Sequence, residues 1–361
     1  MSSLFDYLIW RGDLSFGNAS LTPPDALIFS MLAYIDFEGV VSREANEAPV
    51  RLSDAIGAYF ARPTITEGSI SANHEHLLHM LTVSPRFSAL RTFGAKKVFD
   101  KAHGVQFGAV SFLLPGQNIF VAFEGTNDTL VGWKEDFRMS YECPVPAQLM
   151  AAQYLREVAA AYPLRRIFLG GHSKGGNLAM FAAVNAGEHL RPRIRAVYNN
   201  DGPGFCDSTV TGAAYAELRE RIMTYLPESS IVAVLLEHDT NYKVVKSTNK
   251  GLLQHDGYSW EVEGTDFVYT DERTAFGKKT EAIVDHFVRV TSPERRRRFC
   301  EALFTILEAT EHSTVSGILG GKRQSLKNML GAYADMPDEM RVLLSETLAV
   351  LVEGRRAADG K

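Results

Sequence analysis

Ser173 has the clearest chemical context in this sequence. It stands in Gly171-His172-Ser173-Lys174-Gly175, between an apolar run, Arg166 to Leu169, and a segment rich in small residues, Gly175 to Ala186. The run reads as a short strand and the segment as a helix. A serine on such a strand-to-helix turn adopts a strained backbone conformation with its hydroxyl raised above the sheet. Gly171 and Gly175 are expected because a side chain at either position would collide with the adjoining strand and helix. The helix that follows aims its N-terminus at the serine, so its free N–H groups favour developing negative charge. The chemistry this predicts is attack on a carbonyl carbon by the Ser173 hydroxyl. The glycine spacing fits neither a Walker phosphate loop nor a dinucleotide loop.

A serine nucleophile needs a base, an acid behind the base and an oxyanion hole. With a serine elbow the chain order is Ser, acid, His. Among the later histidines, His255 lies in the Gly-bounded loop GLLQHDGYSW and is expected to be the base. The acid fixes the imidazole tautomer by accepting its Nδ1–H. Asp239, directly after the apolar run IVAVLLEH, is the first choice; Asp201 in NNDGPGF is the second and Glu237 the third. One oxyanion donor is the N–H of Lys174, the residue after the nucleophile. The other is expected from Thr126, at the end of FVAFEGT, through its N–H and its hydroxyl, with Asp136 orienting that hydroxyl. Trp133 is expected to pack rather than contact substrate.

These residues require a framework. Residues 1–105 read as mainly helical: Pro23-Pro24-Asp25 opens one helix, and Leu52 to Phe60 forms another. His74, His76 and His79 include an i,i+3 pair on one helix face, but no Cys or carboxylate pattern completes a metal site and they read as a polar helix face. From Phe107 the pattern turns to strands. Phe107 to Leu114 and Ile119 to Phe123 form a hairpin about Pro115-Gly116-Gln117-Asn118, and Ile194 to Tyr198 and Ile231 to Leu236 are further strands. Helices at Pro146 to Ala161 and after Ser173 alternate with them, which predicts a mostly parallel central sheet flanked by helices: an α/β-hydrolase fold. From about Ala275 the chain is helical, with a start at Ser292-Pro293-Glu294 and a last helix at Pro337 to Val352. The division expected is 1–105 (helical N-terminal part), 106–274 (α/β-hydrolase core) and 275–361 (C-terminal helical extension). Arg295 to Arg298 wrap around their helix and read as a solvated face.

With 361 residues, 45% apolar and 22% charged, the chain has an ordinary globular composition, and its net charge of -5 gives no reason to expect nucleic acid as a partner. Cys143, Cys206 and Cys300 lack metal-ligand spacing and cannot make a disulfide framework. The opening MSSLFDYLIWRGDLSF lacks signal-peptide character, and no apolar run approaches the roughly 18 residues of a transmembrane span. The expectation is a cytoplasmic protein with neither metal nor organic cofactor, acting on a small-molecule or lipid-like acyl ester.

The chain resembles fungal-type (class three) lipases and feruloyl esterases. AFEGT, Trp133 and Asp136, GHSKGG, HDTNYKVV, His255 and Trp260 match that family's ordered motifs. The resemblance implies Thr126 as oxyanion residue, Ser173 as nucleophile, Asp239 as acid and His255 as base. Lys174 departs from the pattern, which has Leu there, as does Glu124, which has Arg. The chain is more similar still, over nearly its whole length, to a bacterial family of unknown function with this fold. That likeness rests on DYLIWRGDLSF, DALIFSMLAYIDF, HSKGGNLA, DGPGF, LLEH, VVKS and QHD-x-x-SW. Acyl transfer or amide hydrolysis by the same triad, and a binding protein that has lost turnover, are the alternatives.

Overall fold

The computed structural model describes residues 2–62, 71–205, 209–314, 317–318 and 322–359; Cys206 lies outside them. A nine-stranded sheet forms its centre, in the order β1-β2-β3-β4-β5-β6-β7-β8-β11. The strands are β1 (Val50–Arg51), β2 (Arg91–Asp100), β3 (Val105–Leu114), β4 (Asn118–Phe123), β5 (Arg166–His172), β6 (Ile194–Asn200), β7 (Ile222–Pro227), β8 (Tyr242–Val245) and β11 (Tyr269–Thr270). β1 to β4 are joined antiparallel, β4 to β8 run parallel, and β11 closes the far edge antiparallel. A small hairpin, β9 (Val262–Glu263) and β10 (Asp266–Phe267), stands apart.

Alternation along the strands builds two cores. On β4, Ile119, Val121 and Phe123 point to one face, and Phe120 and Ala122 to the other. The first face is covered by α6 (Pro146–Ala161) and α7 (Lys174–Val184), whose alanines 151, 179, 182 and 183 allow close approach to the sheet. The second is covered by α1 (Leu4–Arg11), α2 (Pro23–Leu32), α3 (Leu52–Phe60) and α4 (Ala72–Val83). α2 starts as its sequence dictates. Thr22 caps it, Pro23 takes the first turn, and the Asp25 carboxylate accepts the Thr22 N–H at 2.9 Å. Asp25 is also paired with the buried Arg86 at 2.5 Å, which ties α2 to the segment after α4.

Several expectations are corrected. The mainly helical N-terminal part also holds β1 and the ten-residue β2, which were not expected. The run Ile231 to Leu236 is not a strand; it holds a single 3-10 turn at Val232–Val234. The strand in that region is β7, one step earlier. Trp133 does not pack inside: it is 42% exposed on α5 (Leu130–Arg138). His74 is not on a solvated face, since its ring meets Tyr34 and Tyr258 edge-on. Arg296 is buried and donates to the carbonyls of Ser140 and Val288, both at 2.8 Å.

The C-terminal helices are α8's distant successors: after α8 (Ala213–Leu218) come α9 (Ala275–Val290), α10 (Pro293–Glu308), α11 (Lys322–Asp335) and α12 (Asp338–Asp359). α10 lies on α5 through Cys300 and Phe304, which surround Leu130, and through the Phe304–Phe137 ring contact. The Thr274 N–H, capping α9, donates to Glu228 O at 2.8 Å. Among the described residues no helix is long and apolar enough to cross a membrane.

Candidate active site

Ser173 follows β5 directly and precedes the first residue of α7, with φ 58° and ψ -134°. A non-glycine residue with positive φ costs about 1–3 kcal/mol, a strain that surrounding structure must maintain. The packing does so. A Cβ on Gly175 would lie 2.2 Å from Phe123 O, and one on Gly171 would lie 2.1 Å from the Gly175 carbonyl carbon. The Ser173 N–H donates to Asn200 O at 2.9 Å, which extends the β5–β6 ladder to the serine itself.

His255 sits at the end of a 3-10 turn, Gly251–His255, and is partly exposed. Its Nδ1 is 2.7 Å from Asp201 Oδ2. Asp201 is fully buried at the end of β6, the strand adjacent to β5, with φ 56°. Its other oxygen accepts from the Ser230 hydroxyl, and its N–H donates to Tyr225 O at 2.8 Å. His172, next to Ser173, bonds the backbone carbonyl of His255 at 2.7 Å through Nε2. A carbonyl only accepts, so Nε2 carries the hydrogen. Burial, with the His255 charge second, holds the His172 pKa well below its usual value, so the ring is neutral. Nδ1 is then free to accept from the Tyr34 hydroxyl at 3.0 Å. His172 thereby fastens the His255 loop to the end of β5.

Asp239, the first choice for the acid, does not meet His255. Arg219 clamps it from two nitrogens, at 2.8 and 2.9 Å, and these bonds hold its carboxyl below the usual range. Glu237 is exposed, and its backbone bridges to Phe205. The carboxylate brought to the histidine is the second choice, Asp201.

On the other side of the serine, Thr126 follows β4. Its hydroxyl donates to Asp136 Oδ2 at 2.5 Å, the contact expected between these two residues. Burial raises the Asp136 carboxyl to about 6, opposed by the Lys174 charge and the Thr126 bond. While Asp136 is ionised, the single hydroxyl hydrogen of Thr126 is committed to it. An oxyanion could then draw only on the Thr126 N–H. Gly125 is needed here: a Cβ would lie 2.1 Å from the Tyr34 hydroxyl and 2.4 Å from His172 O.

The Lys174 side chain leaves the site. Its Nζ is buried and donates to Glu135 Oε2 at 2.9 Å and to Gln106 O and Oε1 at 2.9 and 2.7 Å. Gln106, Glu135, His172 and Ser230 were not legible as site residues. The one available signal was Lys174 itself: a lysine in a glycine-rich elbow at the sheet needs buried acceptors, and GWKEDF offers a glutamate. Among the described residues no cluster of His, Cys, Asp and Glu could hold a metal ion.

A cavity of about 500 Å³ opens beside Thr126. Tyr34, His74, Lys97, Glu124 and Asn127 line it, and Lys97 pairs with Glu124 at 2.8 Å.

The mostly parallel sheet centre, the serine elbow between β5 and α7 and the helices on both faces define an α/β-hydrolase fold. Within it, the chain belongs to the Mbeg1-like family, whose profile matches residues 81–305. No curated protein matches the sequence. Similar solved structures include a mutant form of MDLA from Penicillium cyclopium, at 12% identity and TM-score 0.40, covering 68% of this chain and 83% of that one. The Rhizomucor miehei lipase propeptide complex is 13% identical with TM-score 0.38, covering 69% and 74%. A lipase from Rhizopus microsporus var. chinensis is 14% identical with TM-score 0.36, covering 72% and 82%.

Proposed function

We propose that this chain is a serine hydrolase of acyl esters with Ser173 as nucleophile, His255 as base and Asp201 as acid. The observation that carries the reading is the 2.7 Å contact of His255 Nδ1 with a buried carboxylate, on a loop bonded to the residue beside a strained serine. His255 Nε2 takes the hydroxyl proton as Ser173 Oγ attacks the ester carbonyl. Asp201 accepts the Nδ1–H, holds the reactive tautomer and stabilises the imidazolium. The N–H groups of Lys174 and Thr126 receive the negative charge of the tetrahedral intermediate. Collapse expels the alcohol, which takes the proton from His255. Water, activated by the same histidine, then frees the acid and the serine.

The lining of the cavity beside Thr126 bears on substrate. It mixes Val98, Phe99 and Phe107 with Lys97, Glu124, His74 and Tyr34, and a hydrocarbon chain long enough to run past the apolar side chains would cover the Lys97–Glu124 pair and leave hydrogen bonds unmade. The substrate class favoured is an ester that is short or polar on this side. A series of p-nitrophenyl esters of increasing acyl length tests this. Turnover should be highest on short chains and absent in Ser173→Ala. Preference for long chains would contradict the substrate assignment, and equal activity in Ser173→Ala would contradict the nucleophile.

A further inference from the structure

The mechanism above uses the N–H of Lys174 and leaves its side chain without a task. That side chain is fully buried, and its three hydrogens are matched by three acceptors: Gln106 O, Gln106 Oε1 and Glu135 Oε2. Glu135 is held in turn, accepting the Gln106 N–H at 3.1 Å and the Ala147 N–H at 3.2 Å. A buried lysine–glutamate pair is no better for stability than apolar side chains filling the same space. Its return must lie in geometry.

The geometry runs through Gln106. An ammonium group accepts nothing, so Oε1 of the Gln106 amide must face Lys174 and Nε2 must face away. Nε2 donates to Gly125 O at 3.2 Å. That carbonyl shares a peptide plane with the Thr126 N–H, and the only cis bond among the described residues is elsewhere, before Pro144. In a trans peptide C=O and N–H point in opposite directions, so fixing one fixes the other. We infer that Lys174 and Gln106 are positioning residues of the oxyanion hole: the lysine locks the glutamine amide, and the amide aims the Thr126 N–H. One residue thus supplies one donor by its backbone and orients the other by its side chain. The inference rests on the serine-hydrolase reading of the site.

Gln106→Met removes the amide and leaves Lys174 its contacts with the Gln106 carbonyl position and with Glu135. With p-nitrophenyl acetate, kcat should fall about 10- to 100-fold, the loss expected when a donor is misaimed rather than deleted. KM should stay within about twofold, and the midpoint of the pH–rate profile should not move, because His255 and Asp201 are untouched. Should Gln106→Met fail to fold, the paired variant Lys174→Met with Glu135→Gln removes the lock without stranding a charge, and it should show the same kcat loss at constant KM. Wild-type kcat in a folded variant would overturn the inference while leaving the triad standing. A fall in kcat accompanied by a shifted pH midpoint would also overturn it, because the damage would then lie at the base. Failure of the wild-type enzyme to turn over any ester or to be modified at Ser173 would overturn the hydrolase reading, and this inference with it.

Discussion

Asp201 is enclosed, bonded to Ser230 and His255, whereas Asp239 is spent on an arginine at the protein's edge. Asp201→Asn therefore removes the acceptor of the His255 Nδ1–H and should lower kcat by about 10⁴ with the fold intact. Asp239→Asn should leave kcat within a few-fold, and steady-state kinetics on one ester separates the two. The residues themselves could not decide this. Both aspartates follow an apolar run and lie between Ser173 and His255, and only the pairing of β6 beside β5 brings Asp201 to His255. Ser173, His255 and Thr126 were legible because each carries a local pattern: an elbow, a glycine-bounded loop, a strand end. Two buried groups near the serine also predict a pH response. His172 has a pKa well below the unfolded value of 6.5, so the unfolded chain binds a proton the native state refuses. Stability from His172 is present above pH 6.5 and is lost as pH falls. Asp136 has the opposite sign: raised to about 6 from 3.8, it takes up a proton in the native state first and adds stability as pH falls through that window. Between pH 7 and 4.5, thermal melting of His172→Gln should decline less than wild type, and that of Asp136→Asn should decline more. Equal slopes in all three would contradict both assignments.

The elbow is held open by absent side chains. With 2.2 Å from a Gly175 Cβ to Phe123 O, neither strand β4 nor helix α7 can yield without losing its own bonds. Gly175→Ala should destabilise the protein by more than about 2 kcal/mol, read as a shift of the denaturation midpoint. Gly187→Ala, where nothing lies within 4 Å of the new Cβ, is a steric control, although its φ of 83° still disfavours alanine. At this scale the helices were the legible part. Pro146–Ala161 and the capped starts at Pro23 and Pro293 announce themselves through proline, caps and spacing. Strands were harder. Ile231 to Leu236 is as apolar as any strand, yet it forms only a 3-10 turn. β7, with Arg219 and Arg221 just before it and Met223 and Thr224 half-buried, shows no continuous apolar run. An apolar run reports burial, and burial alone does not specify a strand. β2 went unseen for a related reason: Arg91, Lys96 and Lys97 interrupt it, and Lys97 is there to reach Glu124.

Across the whole molecule, the C-terminal helices touch both flanks of the site. Glu281 on α9 pairs with Arg273, which donates to Ser230 O at 2.7 Å, and Ser230 holds Asp201. On the opposite flank, Leu130 at the start of α5 donates its N–H to Ser313 O at 2.9 Å, and α5 carries Glu135 and Asp136. Truncation before Ala275 should therefore lower both melting temperature and turnover; a truncated protein with full activity would mean that these helices serve something other than the site. Composition and the alternation of elements revealed the α/β class, but nothing in the order of residues revealed that α10 would settle on α5. That contact joins segments more than 150 positions apart, and its apolar residues, Cys300 and Phe304, fit any helix's buried face.

Whether Ser173 is the activated nucleophile proposed above is read by treating the folded protein with a fluorophosphonate and locating the adduct by peptide mass spectrometry. A single adduct should form on Ser173, lost in Ser173→Ala and slowed strongly in Asp201→Asn but not in Asp239→Asn. A folded wild-type protein that takes up no reagent, or takes it up at another residue, would contradict it.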